Sequence, residues 1–221
     1  MSEEKEDTVR REAVHSHESP FIGMYDRSVL LTYLGVVFAI IGICMVFRGE
    51  IGWSVICLIV AGACDVLDGT VARSCKWRTD EQKTYGIQMD SLADTVSFVI
   101  LPVVISIGMG HDDIISIIVC AIYALAGLIR LGYFNVQAMK SDVEVYTGLP
   151  VTTVAAVLPF LWLAYMYADE MWATVAFDAV MALMAMLFVS RIRIVKPGKY
   201  LQYACALLAV FGIAIILFLQ S

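Results

Sequence analysis

Seven apolar stretches of roughly 20 residues, at about 29–48, 51–73, 87–109, 113–137, 149–167, 170–190 and 199–219, follow one another with only short polar segments between them. A helix rising 1.5 Å per residue needs about 20 such residues to cross ~30 Å of hydrocarbon. No open backbone can face lipid there, which calls for closed helices and short connections. The pattern predicts an all-α fold, a polytopic transmembrane helical bundle of about seven spans. Only 16% of the residues are charged and 60% are hydrophobic, against about a quarter charged in an ordinary soluble domain. A soluble globular enzyme and a disordered chain are both excluded. Residues 1–18 read as a charged, disordered tail holding nine charged side chains. Residues 19–28, with Phe21, Ile22, Met24 and Tyr25, read as an interfacial amphipathic helix, and 29–221 as one transmembrane catalytic domain.

The charges sort by side. Alternating the faces from the amino terminus collects Arg27, Arg73, Lys76, Arg78, Lys83, Arg130, Lys140, Arg191, Arg193, Lys196 and Lys199 with the basic residues of the tail. Only Arg48 falls on the other face, where the loops carry Asp112, Asp113, Asp169 and Glu170. The excess of cations predicts that the amino terminus and the longer loops face the cytoplasm. The net charge of −6 and the lack of a basic stripe argue against a nucleic-acid partner. The acidic amino terminus does not resemble a cleaved signal peptide. Cys44, Cys57, Cys64, Cys75, Cys120 and Cys205 show no metal-ligand spacing and read mostly as small buried hydrophobes. His111, in a short loop, reads as a surface histidine. Trp53, Trp162 and Trp172 lie near span ends and read as interfacial anchors.

Ionisable groups inside spans are costly and mark function. Here they are concentrated. Asp65 and Asp68 are three residues apart on span two, and Asp90 and Asp94 are four apart on span three, so each pair shares a helix face. The spans are consecutive and antiparallel, which puts both pairs near the same end of the bundle. Carboxylates a few ångströms apart repel by several kcal/mol, and a divalent cation resolves the conflict. An all-oxygen set with open water positions suits Mg²⁺ or Mn²⁺ better than Zn²⁺. Gly69, Ala72 and Gly86 remove bulk on these faces, and Arg73 offers a fork suited to phosphate.

Asp65, Asp68, Gly69, Ala72 and Arg73, followed by Gly86, Asp90 and Asp94, form the pattern Asp-x2-Asp-Gly-x2-Ala-Arg … Gly-x3-Asp-x3-Asp. This resembles the signature of the CDP-alcohol phosphotransferases. The 12 residues between Arg73 and Gly86 exceed the spacing of about eight usual in that family, and the excess reads as a longer loop across Lys76–Lys83. The resemblance implies a six-helix core plus an additional span, a homodimer, and a polar cavity open to the cytoplasm. It implies that Asp65, Asp68 and Asp90 hold metal, with Asp94 beside them as a fourth candidate ligand and as general base. It also implies that Asp68, Gly69, Ala72, Arg73 and Gly86 bind the CDP moiety.

Arg130-Leu131-Gly132-Tyr133-Phe134-Asn135 and Gly148-Leu149-Pro150, with Ser190-Arg191-Ile192 and Lys196-Pro197 later, resemble the phosphatidylserine synthase branch of that family. This implies CDP-diacylglycerol and L-serine as substrates and the plasma membrane of a prokaryotic cell as location. Arg130, Asn135, Thr147 and Gly148 become candidates for binding the acceptor or phosphate. For Arg130 the plain alternative is snorkelling to the headgroups, and for Gly148 and Pro150 a simple turn. Inositol phosphate or glycerol phosphate as acceptor, an archaeal CDP-lipid as donor, and, from a different class, a cation transporter using the acidic cluster remain as alternatives. Asp178, in the middle of span six, is open to a packing hydrogen bond or a functional role.

Overall fold

A computed structural model describes residues 23–25, 27–74, 79–138, 146–194, 212–214 and 216–218. The described part is a helical bundle: α1 (Arg27–Phe47), α2 (Ile51–Ser74), α3 (Asp80–Asp94), a π-helical turn (Thr95–Ile100), α4 (Leu101–Gly108), α5 (Ile114–Ala138), α6 (Val154–Tyr167) and α7 (Glu170–Val189). Five of its helical stretches, among them the continuous run Glu81–Gly108, are long and apolar enough to cross a membrane. The protein is an integral membrane protein. The expected span at 149–167 is a shorter apolar helix, entered through a single 3-10 turn, Val151–Thr153. Of the expected seventh span, the described residues 212–214 and 216–218 place Ile216 in the core and Ile213 against it, and the rest lies outside the described residues. So do the tail and most of the expected interfacial helix, of which Gly23, Met24 and Tyr25 are non-helical.

Two helix starts show local sequence at work. Thr79 accepts from the Gln82 amide at 3.2 Å, and the Gln82 side chain accepts from the Thr79 amide at 3.0 Å. This capping box begins α3 at Asp80, so residues 80–86, read as loop from the sequence, are helix. Of the 12 residues between Arg73 and Gly86, the six at 80–85 belong to the motif helix. Asp113 caps α5, accepting from the Ile115 amide at 2.8 Å and the Ser116 amide at 3.2 Å.

α1 packs along α2 and α5 along α7, while α1 also packs against α3. α2 stands off from α3 and meets the π turn and α4 instead. A cleft therefore opens between the two helices that carry the aspartates, with α1 behind both. At the π turn the Leu101 amide bonds to the Val96 carbonyl, and the buried Tyr123 hydroxyl donates to the Phe98 carbonyl at 2.7 Å. Such turns collect at functional sites, and this one turns Ser97 and Phe98 towards the cleft.

Two expectations fail at the opposite end of the bundle. Trp162 is in the core rather than an anchor, at 6% exposure. His111 is 1% exposed; its ring meets Tyr165 and Phe177 edge-on at 5.4 and 4.7 Å, and its Nδ1 is 3.4 Å from Ser106 Oγ. A loop five residues long, between Gly108 and Ile114, tucks its ring inward. Asp178 Oδ2 lies 2.6 Å from Ser116 Oγ, whose single hydroxyl proton is shared between it and Asp113 Oδ2, also at 2.6 Å.

Burial lowers the His111 pKa from its ordinary 6.5, against opposing pulls from Asp178 and Asp113. The fold thus favours the neutral ring, and the unfolded chain takes up the proton first. Stability from this group is full above about pH 6.5 and is lost as pH falls below it, with a slope of at most ~1.4 kcal/mol per pH unit. Thermal unfolding in detergent between about pH 7.5 and pH 5.5 should show a steeper fall for the wild type than for His111→Asn. Equal slopes would remove His111 as the titrating group.

Candidate active site

The acidic cleft is built by three helices. α2 supplies Asp65 and Asp68 from its last turns, α3 supplies Asp90 and Asp94, and α1 contributes Leu31, Thr32 and Gly35 to the wall. The space between these walls is about 200 Å³, its open side included. One carboxylate oxygen from each of Asp65, Asp68 and Asp90 lies within 4.8 Å of the others. Asp94 lines the same cleft, is buried, and stands outside this three-oxygen group. At 4.8 Å and an effective dielectric near 20, each pair of carboxylate charges repels by about 3 kcal/mol.

Among the described residues the cleft lining holds no Lys or Arg. Three converging hard oxygens with no cationic side chain among them fit a divalent cation.

Two contacts that sequence reading missed tie the cleft together. Thr32 Oγ1 donates to Asp68 Oδ2 at 2.8 Å, and both groups are buried. Ser91 Oγ donates to Asn135 Oδ1 at 2.6 Å, joining the residue after Asp90 to α5. The signal for Thr32 was present: it is a hydroxyl in an otherwise apolar run, and such groups seek partners across helices. Its partner, 36 residues away, was not legible.

The nucleotide-side residues are distributed as follows. Among the described residues, a Cβ added at Gly69 would meet nothing within 4 Å, so on that side the backbone beside Asp68 is open. Gly86 lies one turn before Asp90 on α3 and is half-buried. Ala72 and Arg73 lie on α2, and their side chains are outside the described part.

The acceptor-side residues fall into two places. Asn135 joins the cleft through Ser91. Arg130 and Gly148 come together in a clasp: the Arg130 Nε donates to the Leu149 carbonyl at 3.2 Å, and its Nη2 to the Gly148 carbonyl at 3.4 Å. The guanidinium carbon is 6.0 Å from the Phe134 ring centre. Arg130 is 5% exposed, so it does not snorkel.

Thr147 pairs through its backbone with Arg193, in a two-residue antiparallel ladder of β1 (Tyr146–Thr147) and β2 (Arg193–Ile194). Gly148 follows with φ +81°, and a Cβ there would lie 2.9 Å from the Phe188 carbonyl oxygen and 3.0 Å from that of Ser190. The left-handed conformation costs a non-glycine residue ~1–2 kcal/mol before any overlap. Gly148 is therefore required by the join between this segment and the end of α7.

Residues 28–190 match the model of the CDP-alcohol phosphatidyltransferase family. The chain is 30% identical to an archaetidylserine synthase of Methanothermobacter thermautotrophicus over 150 residues, 67% of this chain and 61% of that protein. It is 35% identical to a CDP-diacylglycerol–serine O-phosphatidyltransferase of Saccharomyces cerevisiae over 109 residues, 45% of this chain and 38% of that protein. A Mycobacterium tuberculosis protein of the same name is 32% identical over 170 residues, 71% of this chain and 57% of that protein. The chain thus spans between about two fifths and three fifths of the length of these relatives. The matched region contains every carboxylate of the cleft and both helices that present them, so the chain belongs to the CDP-alcohol phosphatidyltransferase family.

Proposed function

We propose that the protein transfers the phosphatidyl group of CDP-diacylglycerol to the hydroxyl of L-serine, releasing CMP. The observation that carries this reading is the convergence of Asp65, Asp68 and Asp90 with Asp94 in the same cleft. The serine transferases among the relatives supply the acceptor.

In this reading Asp65, Asp68 and Asp90 hold Mg²⁺ or Mn²⁺, which offsets charge on the pyrophosphate and on the departing CMP. Asp94 takes the proton from the serine hydroxyl as that oxygen bonds to the β-phosphorus. The bond from the β-phosphorus to the bridging oxygen breaks, and CMP leaves with that oxygen. Gly69, Ala72, Arg73 and Gly86 form the nucleotide pocket, and the open backbone at Gly69 supports this. Arg130, Asn135, Thr147 and Gly148 form the acceptor side. Arg130 acts there by clasping the Gly148–Leu149 segment, which holds the acceptor wall against α5. The remaining chemistry is positioning and charge stabilisation.

The cation-rich face lies in the cytoplasm, where serine and CMP exchange, in the plasma membrane of a prokaryotic cell. The working unit is a homodimer. A second donor, an archaeal CDP-lipid, is favoured by the archaetidylserine synthase relative, and the lipid tails touch only apolar surface in either case.

Purified protein in detergent with Mn²⁺ should release CMP from CDP-diacylglycerol only when serine is added. Glycerol phosphate and inositol phosphate, tested separately, should give none. Release with either phosphate and not with serine would overturn the acceptor, and turnover of the archaeal CDP-lipid alone would overturn the donor.

A further inference from the structure

We propose that Thr32, on α1, is a positioning residue for the cation site, holding the Asp68 carboxylate in the orientation that completes the Asp65–Asp68–Asp90 trio. The proposal rests on the reading of that trio as a divalent-cation site.

Thr32 is 7% exposed and Asp68 6%. They belong to helices that touch along their length, and the hydroxyl donates to Asp68 Oδ2 at 2.8 Å. A carboxylate's terminal torsion is broad and nearly two-fold. An Asp with no donor can turn its oxygens away from a neighbouring charge, and the repulsion inside this trio favours that turn. The Thr32 hydrogen bond to Oδ2, together with the backbone hydrogen bond from Gly69, favours one orientation of the carboxylate plane.

The donor's own placement is rigid. Thr is β-branched, which restricts its side chain in a helix, and α1 packs against both α2 and α3, so the hydroxyl is fixed relative to both halves of the ligand set. Partners that orient a metal-binding carboxylate typically change metal affinity 10–100-fold when removed. A direct role for Thr32 in holding substrate would act elsewhere, on the KM of the CDP-lipid.

The test uses the purified full chain in detergent, without substrate, and reads Mn²⁺ binding from the free-ion electron paramagnetic resonance signal. Thr32→Val keeps the shape and removes the hydroxyl; Thr32→Ser keeps the hydroxyl. Thr32→Val is expected to weaken Mn²⁺ binding by about 10–100-fold, while Thr32→Ser binds close to wild type. Thermal unfolding checks that each variant is folded, and Thr32→Ala serves in place of the valine variant if that one is not. A folded hydroxyl-free variant with wild-type Mn²⁺ affinity overturns the proposal, as does one that changes only the CDP-lipid KM. Wild-type protein that binds no Mn²⁺ would overturn the cation-site reading itself, and the role of Thr32 with it.

Discussion

Replacing Asp90 by asparagine is expected to lower transfer by about three orders of magnitude and to abolish tight Mn²⁺ binding in the absence of substrate. The cation's stabilisation of phosphoryl charge is worth several kcal/mol, and each ~1.4 kcal/mol is tenfold in rate. Asp90 is the only member of the three-oxygen group contributed by α3. Without its charge a cation held there would keep ligands from one helix only, Asp65 and Asp68 of α2. CMP release measured against Mn²⁺ concentration, beside direct Mn²⁺ binding, checks this. Unchanged binding and rate in a folded Asp90→Asn protein would remove that residue from the site.

Asp94→Asn should give a different pattern of comparable size. Asp94 shares the cleft but lies outside the three-oxygen group. As a general base it contributes about 10²–10⁴-fold, a loss confined to kcat, with Mn²⁺ affinity and the KM of the CDP-lipid nearly unchanged. A parallel loss of Mn²⁺ affinity would make Asp94 a fourth ligand instead of the base. The two variants therefore divide the carboxylates by role, since both substitutions leave side chains of almost the same volume.

Much of the site was legible because the motif is local. Asp65 with Asp68, and Asp90 with Asp94, share faces by helical spacing alone, and the two helices are consecutive in the chain. The capping box at Thr79 and Gln82 was equally local. It was passed over because the polar stretch between Lys76 and Lys83 resembles a loop when judged by composition. The placement of the residues expected on the acceptor side was not legible. Arg130 meets Gly148 across 18 residues of sequence, and Ser91 meets Asn135 across 44, separations that carry no periodic signal.

His111 and Trp162 failed for a related reason. Proximity to a span end suggests water or headgroups, but it does not say whether a side chain turns inward or outward. Here the inward positions were left open by neighbours: Ser106, Tyr165 and Phe177 surround His111. Asp178 lies beside Ser116, 62 residues earlier, a neighbour that carries no periodic signal either.

The sequence by itself determined the membrane, the helical class, most of the spans and the pairing of the carboxylates on shared helix faces. Apolar length and carboxylate spacing act within a single helix and need no partner to be read. Tertiary structure alone decided that α2 and α3 stand apart to form a cleft, that α1 backs both, and that Thr32 is the residue that reaches Asp68. Those outcomes depend on which helix faces meet, and that is set by packing between surfaces of nearly uniform hydrophobicity. In such surfaces one hydroxyl or one glycine decides the register, and its significance appears only when the opposing helix is in place.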